Sequence, residues 1–130
     1  MTTLKHILPL LLAVPVLLAW LALANEASAS DAGRGAKVFD EECAECHSAK
    51  PGKNKKGPTL FGVAGRAAAS VPDYVYSDAM KGSGVAWSAD KLDAYIAAPR
   101  KLVPGCKMKY DGLADAKARA ALIEFLNNNR

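Results

Sequence analysis

The run Cys43-Ala44-Glu45-Cys46-His47 constrains this chain more than any other stretch. Two thiols three residues apart at the end of a helix lie on one face, so both can react with one edge of a single flat molecule. The histidine next in line is placed beneath that face, where its imidazole can bind a metal from one side. C-x-x-C-H is the attachment pattern of a c-type haem: each cysteine adds to one vinyl group and the histidine ligates iron. Other chemistries use the same letters. A thioredoxin-like redox pair needs no histidine and follows a strand, and no such pattern precedes Cys43. A tetrahedral zinc site needs a fourth ligand, for which the chain offers only Cys106 beside Cys43, Cys46 and His47. A structural disulfide would join Cys43 to Cys46. The rest of the chain favours haem.

Residues 1–29 differ from the remainder of the chain. Lys5 gives a positive start, and Ile7 to Ala24 carry no charge. Ala22-Leu23-Ala24 and Ala27-Ser28-Ala29 are small-x-small cleavage patterns, and the second leaves the polar Ser30-Asp31 as the new start. This predicts a secretory signal peptide over residues 1–29 and a single domain over residues 30–130. The rival is an uncleaved membrane anchor, since a helix over the uncharged run spans about 27 Å against a bilayer core of about 30 Å. Pro9, Pro15 and the Ala-Ser-Ala exit favour cleavage. Either way the domain is expected to be exported, to the periplasm, where free thiols are a liability.

A domain of about 100 residues has a thin core if it is built of side chains alone. Alanine and glycine are plentiful and aromatics few, so small side chains leave room for a large apolar group. The net charge of +4 resides beyond the leader. Such a balance suits nucleic acid, a membrane surface or an acidic protein. With no arginine-rich run or base-stacking array, an acidic protein partner is expected and nucleic acid is not. Membrane contact is expected only if the leader stays uncleaved.

Asp31 is placed to cap a helix from about Gly33 into the motif. Gly35, Phe39 and Cys43, with Val38 and Cys46, form its buried stripe. Gly35 either weakens this helix or lets a second one cross closely. Ser48 to Tyr76 reads as loop, punctuated by Pro51-Gly52, Gly57-Pro58 and Gly62. So long a loop in a small domain is explained if it wraps a cofactor. Ser77 and Asp78 cap a helical turn ending near Lys81. Gly82-Ser83-Gly84 then turns the chain, with no strand before it to make a phosphate loop. Ser88 caps a helix to about Ala98, with Leu92, Tyr95 and Ile96 as its apolar face, and Pro99 ends it. Lys101 to Tyr110 reads as extended. Asp115 caps a last helix, about 116–127, with Ala118, Leu122, Phe125 and Leu126 as its stripe. The expected fold is all-α: three main helices, short helical turns and long loops around one covalently attached haem.

Bound by His47 alone, the iron would keep an open site for gases or peroxide. A second ligand closes it and makes a carrier. Met108, a soft thioether in a loop held open by Pro104 and Gly105, is the candidate ligand, and a Met/His pair raises the reduction potential. Packing in the core is its other use. Met80 competes, but it sits on a helical turn.

These residues together resemble class I cytochrome c, the mitochondrial-type and bacterial periplasmic members, over about 33–127. Gly35 and Phe39 match the N-terminal helix, Leu122 and Phe125 the C-terminal one, and Cys43, Cys46 and His47 the haem motif. The resemblance implies that the Pro58 carbonyl accepts the His47 ring N–H. It implies that Arg66, Tyr76 and Trp87 surround a haem propionate, and that the Tyr95 hydroxyl approaches the Met108 sulfur. It further implies a monomeric one-electron carrier, not an enzyme, between a quinol-oxidising cytochrome bc complex and either cytochrome c oxidase or a photosynthetic reaction centre. By resemblance and loop position, Lys53, Lys56, Lys81, Lys101, Lys107 and Lys109 ring the exposed haem edge. Two residues depart from the family. Cys106 replaces a threonine that bonds a propionate, and Met80 replaces an asparagine beside the methionine ligand.

Overall fold

The computed structural model describes residues 33–130 of the chain. The leader expected over residues 1–29 and the Asp31 cap lie outside the described residues. Helix α1 (residues 33–42) crosses helix α5 (Ala116–Asn128) at Gly35. A Cβ on Gly35 would overlap the Ala121 carbonyl oxygen and stand 2.7 Å from Phe125 Cβ, so only glycine permits this approach. Beside the crossing, Phe39 and Phe125 meet with ring centroids 5.3 Å apart, tilted by 43°.

The α5 stripe is wider than the sequence pattern predicts. Leu122 and Leu126 are buried as expected, Ala118 and Phe125 only partly so, and Ala121 and Ile123 are buried as well. The cause is that helix α3 (Ala89–Ala97) packs on a second side of α5. Asp115 caps α5, accepting from Lys117 N at 2.8 Å and Ala118 N at 3.2 Å.

Helix α2 (Asp78–Lys81) is a single turn capped by Ser77, and α3 is capped by Ser88. Leu92 and Tyr95 are the buried residues of α3. Arg119 ties α5 to α3, its Nε donating to Asp93 Oδ1 at 2.7 Å. One boundary needs correcting. Pro99 ends α3, but it also opens a further turn, α4 (Pro99–Leu102), so the extended segment begins after Leu102 and not at Lys101. Proline's fixed φ suits the first turn of a helix, where the missing N–H has no partner to lose.

Residues 48–76 carry no helix, and side chains organise them. Thr59 Oγ1 donates to Lys50 O at 2.7 Å. The Arg66 guanidinium donates to Phe61 O at 2.8 Å and Thr59 O at 3.0 Å. A short antiparallel pairing joins this loop to the segment before α3, through Gly65 N to Trp87 O at 2.8 Å and Trp87 N to Arg66 O at 2.9 Å. That bridge, Ala67 with Ala86, is the one extended pairing among the described residues, so the domain is all-α as expected. The chain end closes the loop: Gly62 N reaches Asn129 O, and Asn129 Nδ2 reaches Ala49 O, both at 2.9 Å. No helix among the described residues is long and apolar enough to cross a membrane.

Candidate functional site

The elements enclose a cavity of about 500 Å³, and every residue expected at the site lines it. The motif forms its near wall. Beyond α1 the chain tightens: Cys43 N and Ala44 N both reach Phe39 O at 2.9 Å, Cys46 N reaches Cys43 O at 3.1 Å, and His47 N reaches Cys43 O at 2.9 Å. These bonds bring Cys43, Cys46 and the His47 ring to the same cavity. The basic loop is fastened to them. Gly57 N donates to Cys46 O at 2.7 Å, Lys55 Nζ to Ala44 O, and Lys56 pairs with Glu45 at 2.6 Å on the surface.

His47 Nδ1 lies 2.7 Å from Pro58 O. A carbonyl only accepts, so the proton is on Nδ1 and the Nε2 lone pair is left for a metal. Burial pushes the His47 pKa down, partly offset by the Pro58 bond, which keeps the imidazole neutral for ligation. Gly57 cradles the ring; a Cβ there would come within 2.7 Å of Nδ1 and 2.9 Å of Nε2.

Met108 lines the same cavity from a separate segment, a second wall. The Tyr95 hydroxyl donates to its Sδ at 3.8 Å, and the Tyr95 ring packs on Trp87 with centroids 4.9 Å apart. Burial is the main force raising the Tyr95 pKa, so it stays a donor. Met80 is buried and also lines the cavity, as does the Cys106 thiol. Arg66 and Tyr76 mark the polar end. The Tyr76 oxygen accepts from Val71 N at 3.3 Å, leaving its own proton to give. Burial draws the Arg66 pKa down, and among the described residues no carboxylate pairs with this cation. A half-buried cation without a counter-ion facing a cavity asks for an anionic group there.

Sequence reasoning missed Glu42, Tyr74 and Tyr110, all of which line the cavity. Tyr74 packs edge-on against Tyr76, with centroids 4.8 Å apart, and lies under Lys107 Nζ at 4.5 Å. Tyr110 donates to Glu42 Oε2 at 2.6 Å. The two tyrosines stand two residues from Tyr76 and Met108 in extended chain, a period-two signal that was there to read. Glu42 carries no local signal, because its partner is remote in sequence. The lysines expected around an exposed edge fall in different places. Lys56, Lys107 and Lys109 line the cavity, while Lys53 lines a shallower hollow beside Ala49. Lys81 and Lys101 line neither, and Lys81 pairs with Asp78 at 2.7 Å.

The arrangement of donors does not suit zinc. Burial, with Glu42 and Cys46 adding to it, pushes the metal-free Cys43 thiol up to about 12. Among the described residues no three of His, Cys, Asp and Glu converge on a common point. All three cysteines are free, so no disulfide joins Cys43 to Cys46.

A family model described as Cytochrome c matches residues 32–130. The chain belongs to the cytochrome c family. It is 46% identical over 97 residues to cytochrome c of Arabidopsis thaliana, covering 74% of this chain and 87% of that one. Cytochrome c of Cochliobolus lunatus is also 46% identical over 97 residues, covering 74% and 90% of the two chains. Cytochrome c of Euglena viridis is 40% identical over 96 residues, covering 74% and 94%.

Membership makes the protein a monohaem electron carrier with haem c held covalently through Cys43 and Cys46. The cavity fits that group. It has two thiols on one wall, a ring nitrogen free to coordinate, a glycine where a Cβ would displace that ring, and an unpaired cation at one end. When bound, the haem supplies a one-electron change at iron. The protein holds the imidazole in one tautomer, keeps bulk water from the apolar walls and offers a polar end to charged substituents.

Proposed function

We propose that His47 and Met108 are the two axial ligands, and that the protein carries single electrons in the periplasm. The donor in this reading is a quinol-oxidising cytochrome bc complex, and the acceptor is a terminal oxidase or a photosynthetic reaction centre. One observation carries it. A histidine with its Nε2 free and a methionine sulfur approached by a tyrosine hydroxyl line the same cavity, from chain segments about sixty residues apart. An imidazole and a thioether that both stay bound need little rearrangement between oxidation states, which suits a carrier better than a catalyst. Arg66, Tyr76 and Trp87 receive a propionate, and Pro58 fixes the His47 tautomer.

Lys56, Lys107 and Lys109 at the cavity mouth support brief docking to acidic surfaces, which works through charge-steered encounter and a small interface. The leader pattern supports export, with the domain beginning near residue 30.

The test has two arms. The ferric protein should show the weak red absorption band of thioether-bound iron, and the reduced protein should not bind carbon monoxide readily at neutral pH. Ready binding would overturn the carrier in favour of an open-site haem enzyme or gas sensor. In the second arm, reduction by a purified cytochrome bc complex should slow steeply as salt rises. A salt-independent rate would remove the acidic-partner reading. The mass of the protein recovered from the periplasm reports haem addition and the cleavage point together.

A further inference from the structure

The segment that carries Met108 is poorly held by its own backbone. Cys106 N reaches Val103 O at 3.1 Å, and the next amide with a backbone acceptor among the described residues is Leu113 N, on Ile96 O at 2.9 Å. From Lys107 to Gly112 the chain is tied down by side chains. Lys107 Nζ donates to Val75 O, the Tyr95 hydroxyl approaches the Met108 sulfur at 3.8 Å, and Asp111 meets Arg100 at 3.3 Å on the surface. The longest-range tie is Tyr110 to Glu42 Oε2, at 2.6 Å on the surface beside the cavity. That length is typical of a hydroxyl donating to a carboxylate, roughly twice as strong as a neutral pair. Its two ends are 68 residues apart in sequence. Glu42 directly precedes Cys43, and Tyr110 follows Met108 by two residues. The bond therefore joins the motif segment to the Met108 segment, and both residues line the cavity.

We propose that Glu42 and Tyr110 form a latch that holds the Met108 segment closed over the haem, making both positioning residues for the methionine ligand. The latch deepens the functional reading above and rests on Met108 being that ligand. Opening it frees the far end of a segment with no ladder of its own, so the thioether leaves more often and an outside ligand finds the vacancy.

Imidazole titration of the ferric holoprotein tests this. Tyr110→Phe and Glu42→Ala should each raise the apparent imidazole affinity about tenfold, the order expected for losing a charge-assisted bond. The double variant should gain no more than either single one, because both break the same tie. Glu42→Gln, which keeps an acceptor but not the charge, should fall between parent and Glu42→Ala, at about threefold. Asp115→Ala, which destabilises a remote helix start, should leave the affinity within twofold, separating a latch from a general loss of stability. Single variants within twofold of the parent, or a double variant equal to the product of the singles, would overturn the proposal. If the parent ferric protein lacks the thioether band, the Met108 reading has failed. Amide hydrogen exchange over Lys107 to Asp111 then decides the latch alone: faster exchange in Tyr110→Phe supports it and unchanged exchange removes it.

Discussion

The two walls of the cavity are built on different principles. The His47 wall is dense in backbone bonds: the turn through Cys43, Cys46 and His47 closes on itself, and Gly57 N and Pro58 O lock the next loop onto it. The Met108 wall is extended chain held by side chains reaching across from Tyr95 and Glu42. Loops of the second kind open locally at low cost, while the first opens only with much of the domain. In the proposed reading, the His47 wall fixes where the ring sits and the Met108 wall tunes how firmly the iron is closed.

The largest effect that tests this contrast is His47→Ala. It should abolish accumulation of mature holoprotein, measured as pyridine haemochrome per chain; normal yields would mean the His47 wall does not govern assembly. Met108→Ala should instead leave a folded haem protein that has lost its thioether band and binds carbon monoxide. If it failed to fold, the two walls would be equivalent and the contrast wrong. Gly57→Ala comes next. Its Cβ collides with the His47 ring, and overpacking of that kind costs about 1–3 kcal/mol in urea unfolding. Tyr95→Phe removes one weak donor from the sulfur and should cost less than about 1 kcal/mol, with its signature in faster ligand exchange.

The smallest effect lies on neither wall. Backbone N–H groups of Ala118 and Lys117 hold the Asp115 carboxyl below its usual range. Its contribution is therefore present above the unfolded value, about 3.9, and is lost as pH falls through the lower folded value. Asp115→Asn, which keeps an acceptor but not the charge, should flatten that acid limb by slightly lowering stability at neutral pH and leaving low pH nearly unchanged.

Which parts were legible in the sequence depends on the same contrast. Cys43, Cys46 and His47 are close neighbours, so their chemistry is written in five letters, and the Gly35 crossing shows as a small residue on an apolar stripe. Ser77, Ser88 and Asp115 announced their helices because capping is a local transaction between a side chain and the next few amides. On the second wall the sequence pointed to Met108, which lines the cavity, but not to the side chains that fasten it. Glu42 carries no sign of its role, since nothing near it in sequence mentions Tyr110. The turn Pro99–Leu102 was missed because proline both stops and starts helices, and the pattern alone does not say which. The pairing of Ala67 with Ala86 is too short to leave any periodicity.

Leu122 and Leu126 of α5 line the cavity, although α5 is the last helix among the described residues. As the polypeptide is made, the two thiols of the motif therefore emerge long before the floor that will lie under the ring. Cofactor attachment has to proceed on a chain that is still unfinished, or wait for its tail. The timing of biogenesis is in that sense decided by how far apart in the gene the wall and the floor are encoded.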